Sequence, residues 1–433
     1  MKFVMPFTGS RGDVQPGLVL ASELSARGHE VTFGAPPNLV AFAEAATAGR
    51  TSVSVVPFGP DTRALLESDL VRTRIKSKNL RTRWAALAEL ANFGWDDMAE
   101  SVLSMGAHAD MAIAGTLGQE LVFNYAESQS IPFAALHYCP IRSNRSMSVV
   151  PSRTMPGVVN RATWRILESM RWSSMKKREN AQRRALGLEN ASRPLPGRIA
   201  SYGGIEIQAY DSAFFPGLRQ EWTDRRPFVG FLEPDGGESS GSTGVLGSGS
   251  ILGSPLRSWI ESGTAPVYFG FGSMPVKDPT GLVSMIEDVC ARGGYRAVVS
   301  SGWSTLDERI DADSSVAVVG SVDHGALFPL CRAAVHHGGA GTTAASVRAG
   351  LPTMVCWFSA DQPFWGAALE RTGAGCSAKF VELDRDILAA GIETLMRPDT
   401  ASRARQLAAA MTSPADTRRA AVRLIEGAVH QNS

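Results

Sequence analysis

Short apolar runs recur along this chain, separated by longer stretches in which apolar residues fall three and four positions apart. In the first half Lys2 to Phe7, Glu30 to Ala35, Ser52 to Phe58, Asp110 to Gly115 and Ile131 to Leu136 read as strands, and Gln15 to Arg27 reads as a helix with Leu20 and Leu24 on one face. The second half repeats the rhythm. Val267 to Phe271, Tyr295 to Ser300, Val316 to Gly320, Ala333 to His336 and Thr353 to Trp357 are strand-like, with helices near Leu282 to Arg292 and Thr343 to Ala349. Strands spaced by helical crossovers predict βαβ units, and therefore an α/β protein with two doubly wound parallel sheets.

Size agrees with two sheets. A chain of 433 residues exceeds one typical domain, and 44% hydrophobic content with a net charge of +1 describes a globular protein with ample core, so two domains of roughly 200 residues are expected. The near-neutral balance argues against nucleic acid as a partner. Glu233 to Ser254 is rich in Gly and Ser and shows no sustained periodicity, which marks a linker or a loop beside one. The cysteines (139, 290, 331, 356 and 376) are odd in number and widely spaced, suiting buried thiols in a reduced compartment, and no Cys/His spacing suits a metal. The opening strand is too short for a signal peptide and no apolar run reaches about 18 residues, so a cytoplasmic protein is expected.

The densest chemistry lies at His336 to Thr343, His-His-Gly-Gly-Ala-Gly-Thr-Thr, where a predicted strand turns into a predicted helix. Gly338, Gly339 and Gly341 clear side chains from a place where a diphosphate must approach the main chain. Thr342 and Thr343 add hydroxyls, His337 adds a ring donor, and the helix N-terminus adds about half a positive charge. Asp361 and Gln362 follow the apolar run Pro352 to Phe358, at the end of another predicted strand, where ligands of open α/β sheets bind. A carboxylate beside an amide suits adjacent sugar hydroxyls, which donate and accept; a helix cap is the other use of an Asp before Gln-Pro.

Five blocks in order carry a family resemblance: Gly9 to Pro16 (GSRGDVQP), Phe269 to Met274 (FGFGSM), Ser301-Gly302-Trp303, the His336 to Thr343 segment, and Asp361 to Gly366 (DQPFWG). With them the chain resembles the family 1 glycosyltransferases of the GT-B fold, in the bacterial branch with sterol glucosyltransferases and the transferases of glycopeptide and glycopeptidolipid aglycones. The resemblance implies two Rossmann-like domains facing a central cleft: an acceptor domain at 1–232, a linker at 233–254, a nucleotide-sugar domain at 255–410, and a terminal helix at 411–433 that crosses back to the first domain. It implies no cofactor, the UDP- or dTDP-sugar being a co-substrate. Trp303 falls where family members hold the base of the nucleotide, stacked on it or filling core. Val322, Asp323 and His324 occupy a segment that commonly carries a proline before the histidine, and Asp323 in its place leaves the base open between uracil and thymine.

Transfer needs a base for the acceptor hydroxyl, and Asp13 is the candidate, on the glycine-rich turn after the first strand. In the resembling branch the aspartate of this motif is the proposed base. Its other use is as a helix cap. A free carboxylate, with a pKa near 3.9, is a poor base for an alcohol, so burial must raise it. Charge building on the leaving diphosphate would be met without metal by Ser273, His337, Gly341, Thr342 and Thr343. The Asp311 to Asp313 triplet imitates a metal-binding motif but sits in a charged loop before a strand.

Acceptor choice falls to the first domain in this fold, where His137, Tyr138 and Arg142 follow a strand end and would line the acceptor site by topology. Pro156 to Leu188 interleaves Trp164, Ile166, Leu167, Met170, Trp172 and Met175 with Arg161, Arg165, Arg171, Lys176, Lys177, Arg178, Arg183 and Arg184. Such a helix suits peripheral contact with the inner face of a membrane, or packing on the sheet with a solvated basic face. The expected activity is inverting, metal-independent transfer of a hexose or deoxyhexose from UDP or dTDP to a hydroxyl of a lipophilic acceptor, with no obligate protein partner. A nucleotide-sugar-binding accessory protein without chemistry is the alternative, against which the joint presence of Asp13, Asp361 and Gln362 argues.

Overall fold

The structure, a computed structural model, describes residues 1–430 apart from 75–78, 152, 223, 235–252, 273, 275, 302–307 and 321. The predicted linker therefore falls almost wholly outside the described residues. Two compact units are formed. The first comprises Met1–Asp211, Gly217–Glu233 and Thr412–Ser433, and the second comprises Ser212–Pro216 and Pro234–Met411.

The first unit is built on β1 (Lys2–Pro6), β2 (Glu30–Ala35), β3 (Val53–Pro57), β4 (Met111–Ala114), β5 (Phe133–His137) and β6 (Ile205–Gln208). The second is built on β7 (Val267–Gly270), β8 (Ala297–Ser300), β9 (Val316–Val319), β10 (Ala333–His336), β11 (Thr353–Trp357) and β12 (Gly375–Lys379). Six helices matter to the site: α1 (Arg11–Ala26), α2 (Gln119–Gln129), α3 (Gly157–Ala185), α4 (Ala340–Arg348), α5 (Gln362–Thr372) and α6 (Pro414–His430).

The sheets run β3-β2-β1-β4-β5-β6 and β12-β11-β10-β7-β8-β9, every pairing parallel. Numbered from its own first strand, the second sheet has the order of the first, the dinucleotide-fold order. The winding direction reverses between β1 and β4 in one sheet and between β7 and β10 in the other, so each sheet opens a crevice at those strand ends.

Period-two alternation gives each sheet two buried faces. Phe3, Met5 and Phe7 point into a core with Leu18, Leu20 and Leu24 of α1, while Val4 points into a second core with Ala112, Ala114 and Phe123. Ala421, Val422, Ile425 and Val429 of α6 join the first of these cores, each large side chain contributing about 1.5–3 kcal/mol by leaving water. In the second unit Val267, Phe269 and Val335 share one core, and Tyr268, Val298 and Ala334 the other.

The apolar runs became strands, while β6 and β12, both at sheet edges, were not among those expected. Helix α1 begins at Arg11 rather than Gln15, and α4 at Ala340 rather than Thr343, because each glycine turn hands directly to its helix. All five cysteines are free thiols, and burial pushes Cys290, Cys331 and Cys376 up to about 12. No described helix is long and apolar enough to cross a membrane.

Candidate active site

In the first unit the chain leaves β1 through Phe7 to Gly9 and enters α1 at its N-cap, Ser10, whose backbone is extended (φ −75°, ψ 174°). Asp13 is the third residue of the helix. Its Oδ2 accepts from Ser10 N at 2.6 Å and from Ser10 Oγ at 2.7 Å. The aspartate is thus both a cap and an oriented carboxylate, and neither bond uses Oδ1. Burial raises its pKa above the ordinary value and outweighs the opposing pull of the Ser10 bonds. Gly9 makes this packing feasible: its φ is +115°, and a Cβ there would lie 2.5 Å from Asp13 Oδ2. Buried Thr62 fixes the turn by donating from Oγ1 to Gly9 O at 2.6 Å.

Tyr138 follows β5, and its phenol stands close enough to Asp13 to favour the charged carboxylate. The same phenol also has the Thr116 hydroxyl, just past the end of β4, as a side-chain hydrogen-bond partner.

His137 and Arg142 are drawn inward, which corrects their expected place on an acceptor wall. His137 has no exposed surface and Arg142 is 5% exposed. Arg142 Nε donates to Glu206 Oε1 and its Nη2 donates to Gln119 Oε1 at 2.7 Å, while His137 Nε2 lies 3.2 Å from Nη2. Arg226 Nε holds the other Glu206 oxygen at 2.7 Å. Burial works to raise the Glu206 carboxyl, and the two guanidiniums more than offset it, leaving it at about 2. Burial and the Arg142 charge hold His137 neutral. This network stiffens the β5–β6 edge below Tyr138.

In the second unit β10 ends at His336 and the chain passes through His337, Gly338 and Gly339 into α4. Gly338 has φ +87°, and a Cβ on it would meet Val355 Cγ1 at 2.5 Å. Gly339 is the N-cap and offers no side chain, and no acidic residue stands in the first turn. The amides of Ala340, Gly341 and Thr342 therefore have no intrahelical partner, as in any first turn, and no carboxylate competes for them. Space is open above Gly341, where a Cβ would meet nothing within 4 Å.

Thr343 departs from expectation. Its amide and its Oγ1 both donate to Gly339 O, each at 2.9 Å, and the residue is buried, so its hydroxyl belongs to the helix.

The two histidines divide the work. His336 is buried beneath the turn, where its Nδ1 accepts from Gly338 N at 3.0 Å and its Nε2 lies 3.3 Å from Ser346 Oγ. With Nδ1 accepting and burial keeping the ring neutral, the proton resides on Nε2 and is donated to Ser346. This pinning role, missed in the motif, has a sequence signal in the first His of the pair and the Ser ten residues on. His337 is half-buried. Its ring packs on both glycine turns, since a Cβ on Gly272 would meet Cε1 at 2.8 Å and one on Gly339 would meet Nε2 at 2.7 Å. Burial lowers it to about 4, and its Nδ1 has no hydrogen bond among the described residues.

Asp361 and Gln362 open α5. Trp365 Nε1, one helical turn on, donates to Asp361 Oδ2 at 2.8 Å and fixes the carboxylate. The indole is itself fully buried between Phe214 and Phe215. Gln362 Oε1 accepts from Phe358 N at 2.7 Å and Ser359 N at 3.1 Å, so its carbonyl serves the turn, while its Nε2 points at Met274 Sδ, 3.5 Å away. Ala360, just before, sits at φ +59°, an unusual backbone for alanine that marks a constrained turn.

Of the remaining expected residues, Ser273 and Trp303 lie outside the described residues. Val322 is half-buried against a core that includes Leu327 and Phe328. Asp323, standing where a proline was expected, caps the short His324–Leu327 helix by accepting from Gly325 N at 2.8 Å, and His324 stacks on Phe328. Asp311 and Asp313 are exposed, and no group of three or more His, Cys, Asp or Glu among the described residues is gathered as for one metal.

Helix α3 differs in make-up from the expected basic-aromatic surface. Trp164 and Met175 are buried, and Arg161, Arg171, Arg178 and Arg183 are paired with Glu221, Glu120, Asp96 and Glu127. The outward face mixes aliphatic residues (Val158 71% exposed, Ile166 58% and Leu167 47%) with exposed Arg165, Lys176 and Lys177. Ile166 and Met170 line a shallow hollow of about 480 Å³ with Arg165, Ser169 and Ser173.

Comparisons with known proteins agree with this architecture. Residues 3–148 match the glycosyltransferase family 28 N-terminal domain, and residues 305–426 the erythromycin biosynthesis protein CIII-like C-terminal domain. An uncharacterised glycosyltransferase of Mycobacterium tuberculosis is 40% identical over 436 residues, covering 100% of both chains. The sterol 3-beta-glucosyltransferase UGT80A2 of Arabidopsis thaliana is 28% identical over 87% of this chain, which spans 58% of that relative's length. Among solved structures, the glycosyltransferase VinC in complex with dTDP has a TM-score of 0.65 at 16% identity, with 100% of each chain covered. With two dinucleotide-fold sheets and full-length similarity of this degree, the chain belongs to the family 1 glycosyltransferases of the GT-B fold.

Proposed function

We propose that this glycosyltransferase moves a hexose or deoxyhexose from UDP or dTDP to a hydroxyl of a lipophilic acceptor, with inversion and without a metal ion. The observation that carries the reading is Asp13: a carboxylate raised by burial, oriented by Ser10 through Oδ2 and standing beside the Tyr138 phenol, at the switch point of its sheet. In this reading the second unit binds the donor. The amides of Ala340, Gly341 and Thr342, the Thr342 hydroxyl, His337 and Ser273 receive the diphosphate, Gly338 and Gly339 give it room, and Asp361 with the amide of Gln362 receives the sugar hydroxyls. Trp303 and Val322 flank the base.

The first unit binds the acceptor. Asp13 Oδ1 takes the proton of the acceptor hydroxyl as its oxygen attacks the anomeric carbon, and the bond from that carbon to the β-phosphate oxygen breaks. One displacement inverts the carbon. The general base contributes about 10²–10⁴ in rate, and the oriented amides meet the charge arriving on the diphosphate. The exposed aliphatic residues of α3 support a lipophilic acceptor and peripheral contact with the cytoplasmic side of a membrane, and relatives bearing sterol glucosyltransferase and erythromycin biosynthesis names support a polycyclic or macrolide-like alcohol.

The test is a thermal-shift screen of the full chain against UDP-glucose, UDP-galactose and dTDP-rhamnose, followed by mass spectrometry of incubations with sterols and macrolide aglycones in EDTA. A donor at 100 times its Kd adds about 2.7 kcal/mol of stability and shifts the midpoint upward. Transfer should persist in EDTA. No shift with any nucleotide sugar, or activity regained only on adding Mn²⁺, would overturn the donor reading or the metal-free reading respectively. Donor binding with neither transfer nor hydrolysis would favour a binding protein.

A further inference from the structure

We propose that Phe214 and Phe215 are positioning residues for the donor sugar: they wedge the Trp365 indole, which aims the carboxylate of Asp361 at the sugar hydroxyls. The proposal rests on the reading of Asp361 as a sugar contact. It begins from chain connectivity. Ser212–Pro216 is flanked on both sides, at Asp211 and Gly217, by residues of the first unit, yet it packs in the second.

A single 3-10 turn, Ser212–Phe214, carries the chain into this place. Phe214 meets the indole edge to face, with 5.6 Å between ring centroids and 87° between planes, and Phe215 meets it at 5.4 Å and 58°. Phe214 and Trp365 have no exposed surface, and Phe215 is 1% exposed. Arg371, in the last turn of α5, ties the wedge to the same helix. Its Nη2 donates to Phe214 O at 2.8 Å, and its guanidinium lies 5.7 Å from the centre of the Phe215 ring.

A buried indole needs a partner for its N–H, and with the ring wedged that N–H points one way, to Asp361 Oδ2. The aspartate in turn forgoes the usual work of its position. Asp361 stands at the N-cap of α5, where a carboxylate ordinarily accepts from the amide of the second or third helical residue, but its side chain makes no cap bond. Pro363 has no amide to offer, and Phe364 N donates to the main-chain oxygen of Asp361 instead. The half-buried carboxylate is therefore oriented by the indole rather than by the helix, after a strand end where ligands of such sheets bind. A hydrogen bond weakens steeply as its angle departs from linear, so the wedge sets how well the sugar is read.

Four variants of the full chain test this, with Asp361→Ala as the reference. Trp365→Phe removes the N–H and keeps a ring, Phe214→Leu and Phe215→Leu loosen the wedge, and Arg371→Gln cuts the tie at an exposed residue, where folding is least at risk. Calorimetry compares UDP-glucose, UDP-galactose and dTDP-rhamnose with UDP and dTDP. In Trp365→Phe the nucleotide sugar should bind about 10-fold more weakly, as for a lost hydrogen bond to a charged group, with nucleoside diphosphate affinity within twofold of the parent. The leucine and glutamine variants should show smaller losses of the same kind. In an Asp361→Ala background Trp365→Phe should add nothing further, because the indole acts through that carboxylate. Parental sugar affinity in Trp365→Phe and Phe215→Leu, while Asp361→Ala weakens it, sinks this proposal and leaves Asp361 as a sugar contact. Parental sugar affinity in Asp361→Ala, or no nucleotide-sugar binding by the parent, removes both. A lower thermal midpoint with parallel losses of sugar and diphosphate affinity, or an undiminished effect of Trp365→Phe without Asp361, assigns the wedge a structural role and also overturns the proposal.

Discussion

The two glycine turns of this protein occupy equivalent places, each at a strand end flanking the switch point of a sheet of the same order, yet they treat the helix N-terminus in opposite ways. After β1 the first turn of α1 contains its own anion: Asp13 folds back onto Ser10 and is half-buried there. After β10 the first turn of α4 has glycine at the cap, no acid, and open space above Gly341. One end is satisfied from within; the other is ready for an anion from outside. The difference teaches that a single fold position can yield a base or a phosphate cradle, depending on whether the first turn brings a carboxylate.

The comparison is tested hardest at Asp13. Asparagine there can still accept from Ser10, so the turn and its thermal midpoint should survive, but it cannot take a proton. Asp13→Asn should lower kcat about 10²–10⁴-fold with nucleotide affinity unchanged. Stopped assays on purified variant and parent decide it, and near-parental kcat would reduce Asp13 to a cap.

Next come the glycines of the cradle, whose surroundings predict contrasting failures. Gly338→Ala forces a left-handed alanine against Val355 and should cost roughly 2 kcal/mol or more of stability, read as a lower midpoint. Gly341→Ala adds a methyl in open space and should leave the midpoint equal or higher, since alanine is the better helix former by up to about 1 kcal/mol. It should nonetheless weaken UDP or dTDP binding severalfold by standing where the diphosphate meets the amides. Equal nucleotide affinity in Gly341→Ala would mean the anion sits elsewhere.

His337 sharpens the contrast through pH. Burial lowers it to about 4, so in the free protein the ring is neutral at pH 7. A diphosphate beside it favours the charged form and lifts the bound pKa above that value. Binding then takes up a proton, and affinity should rise as pH falls through the bound pKa towards about 4. His337→Ala should lose about 10–100-fold in affinity at the lower pH, for a hydrogen bond to a charged group. Comparing titration calorimetry of variant and parent at each pH cancels the ligand's own ionisation; parallel curves would remove His337 from the cradle.

Much of this was legible in the sequence because buried parallel strands are continuous apolar runs, as in Met111–Ala114 or Val316–Val319. The edge strands were not. In Ile205–Gln208 the polar members Glu206 and Gln208 are buried, 4% and 0% exposed, against Arg142, Arg226 and His137, which the alternation Ile-Glu-Ile-Gln cannot reveal. In Gly375–Lys379 every residue is half-buried, and Gly375 exists because a Cβ would strike Thr353 O, a demand set by the neighbouring strand. The motifs located Asp13 and the cradle, but the division of labour inside them depends on atoms. His336 beneath the turn and the carbonyl of Gln362 turned towards Phe358 N are matters of direction rather than residue type.

The smallest effect separates two adjacent threonines that the motif treats alike. Thr343 donates its hydroxyl to Gly339 O inside the helix, whereas Thr342 is half-buried on the first turn, one of the amides without an intrahelical partner being its own. Valine keeps the β-branched shape in both, so helix preference is nearly constant and the hydroxyl is the variable. Thr342→Val should weaken nucleoside diphosphate binding about 10-fold, the worth of a hydrogen bond to a charged oxygen. Thr343→Val should leave affinity within twofold and lower stability by about 1 kcal/mol through the lost bond to Gly339. The opposite ranking in calorimetry would mean that α4 meets its anion one residue deeper than its free amides imply, with the first turn unwound to release Thr343.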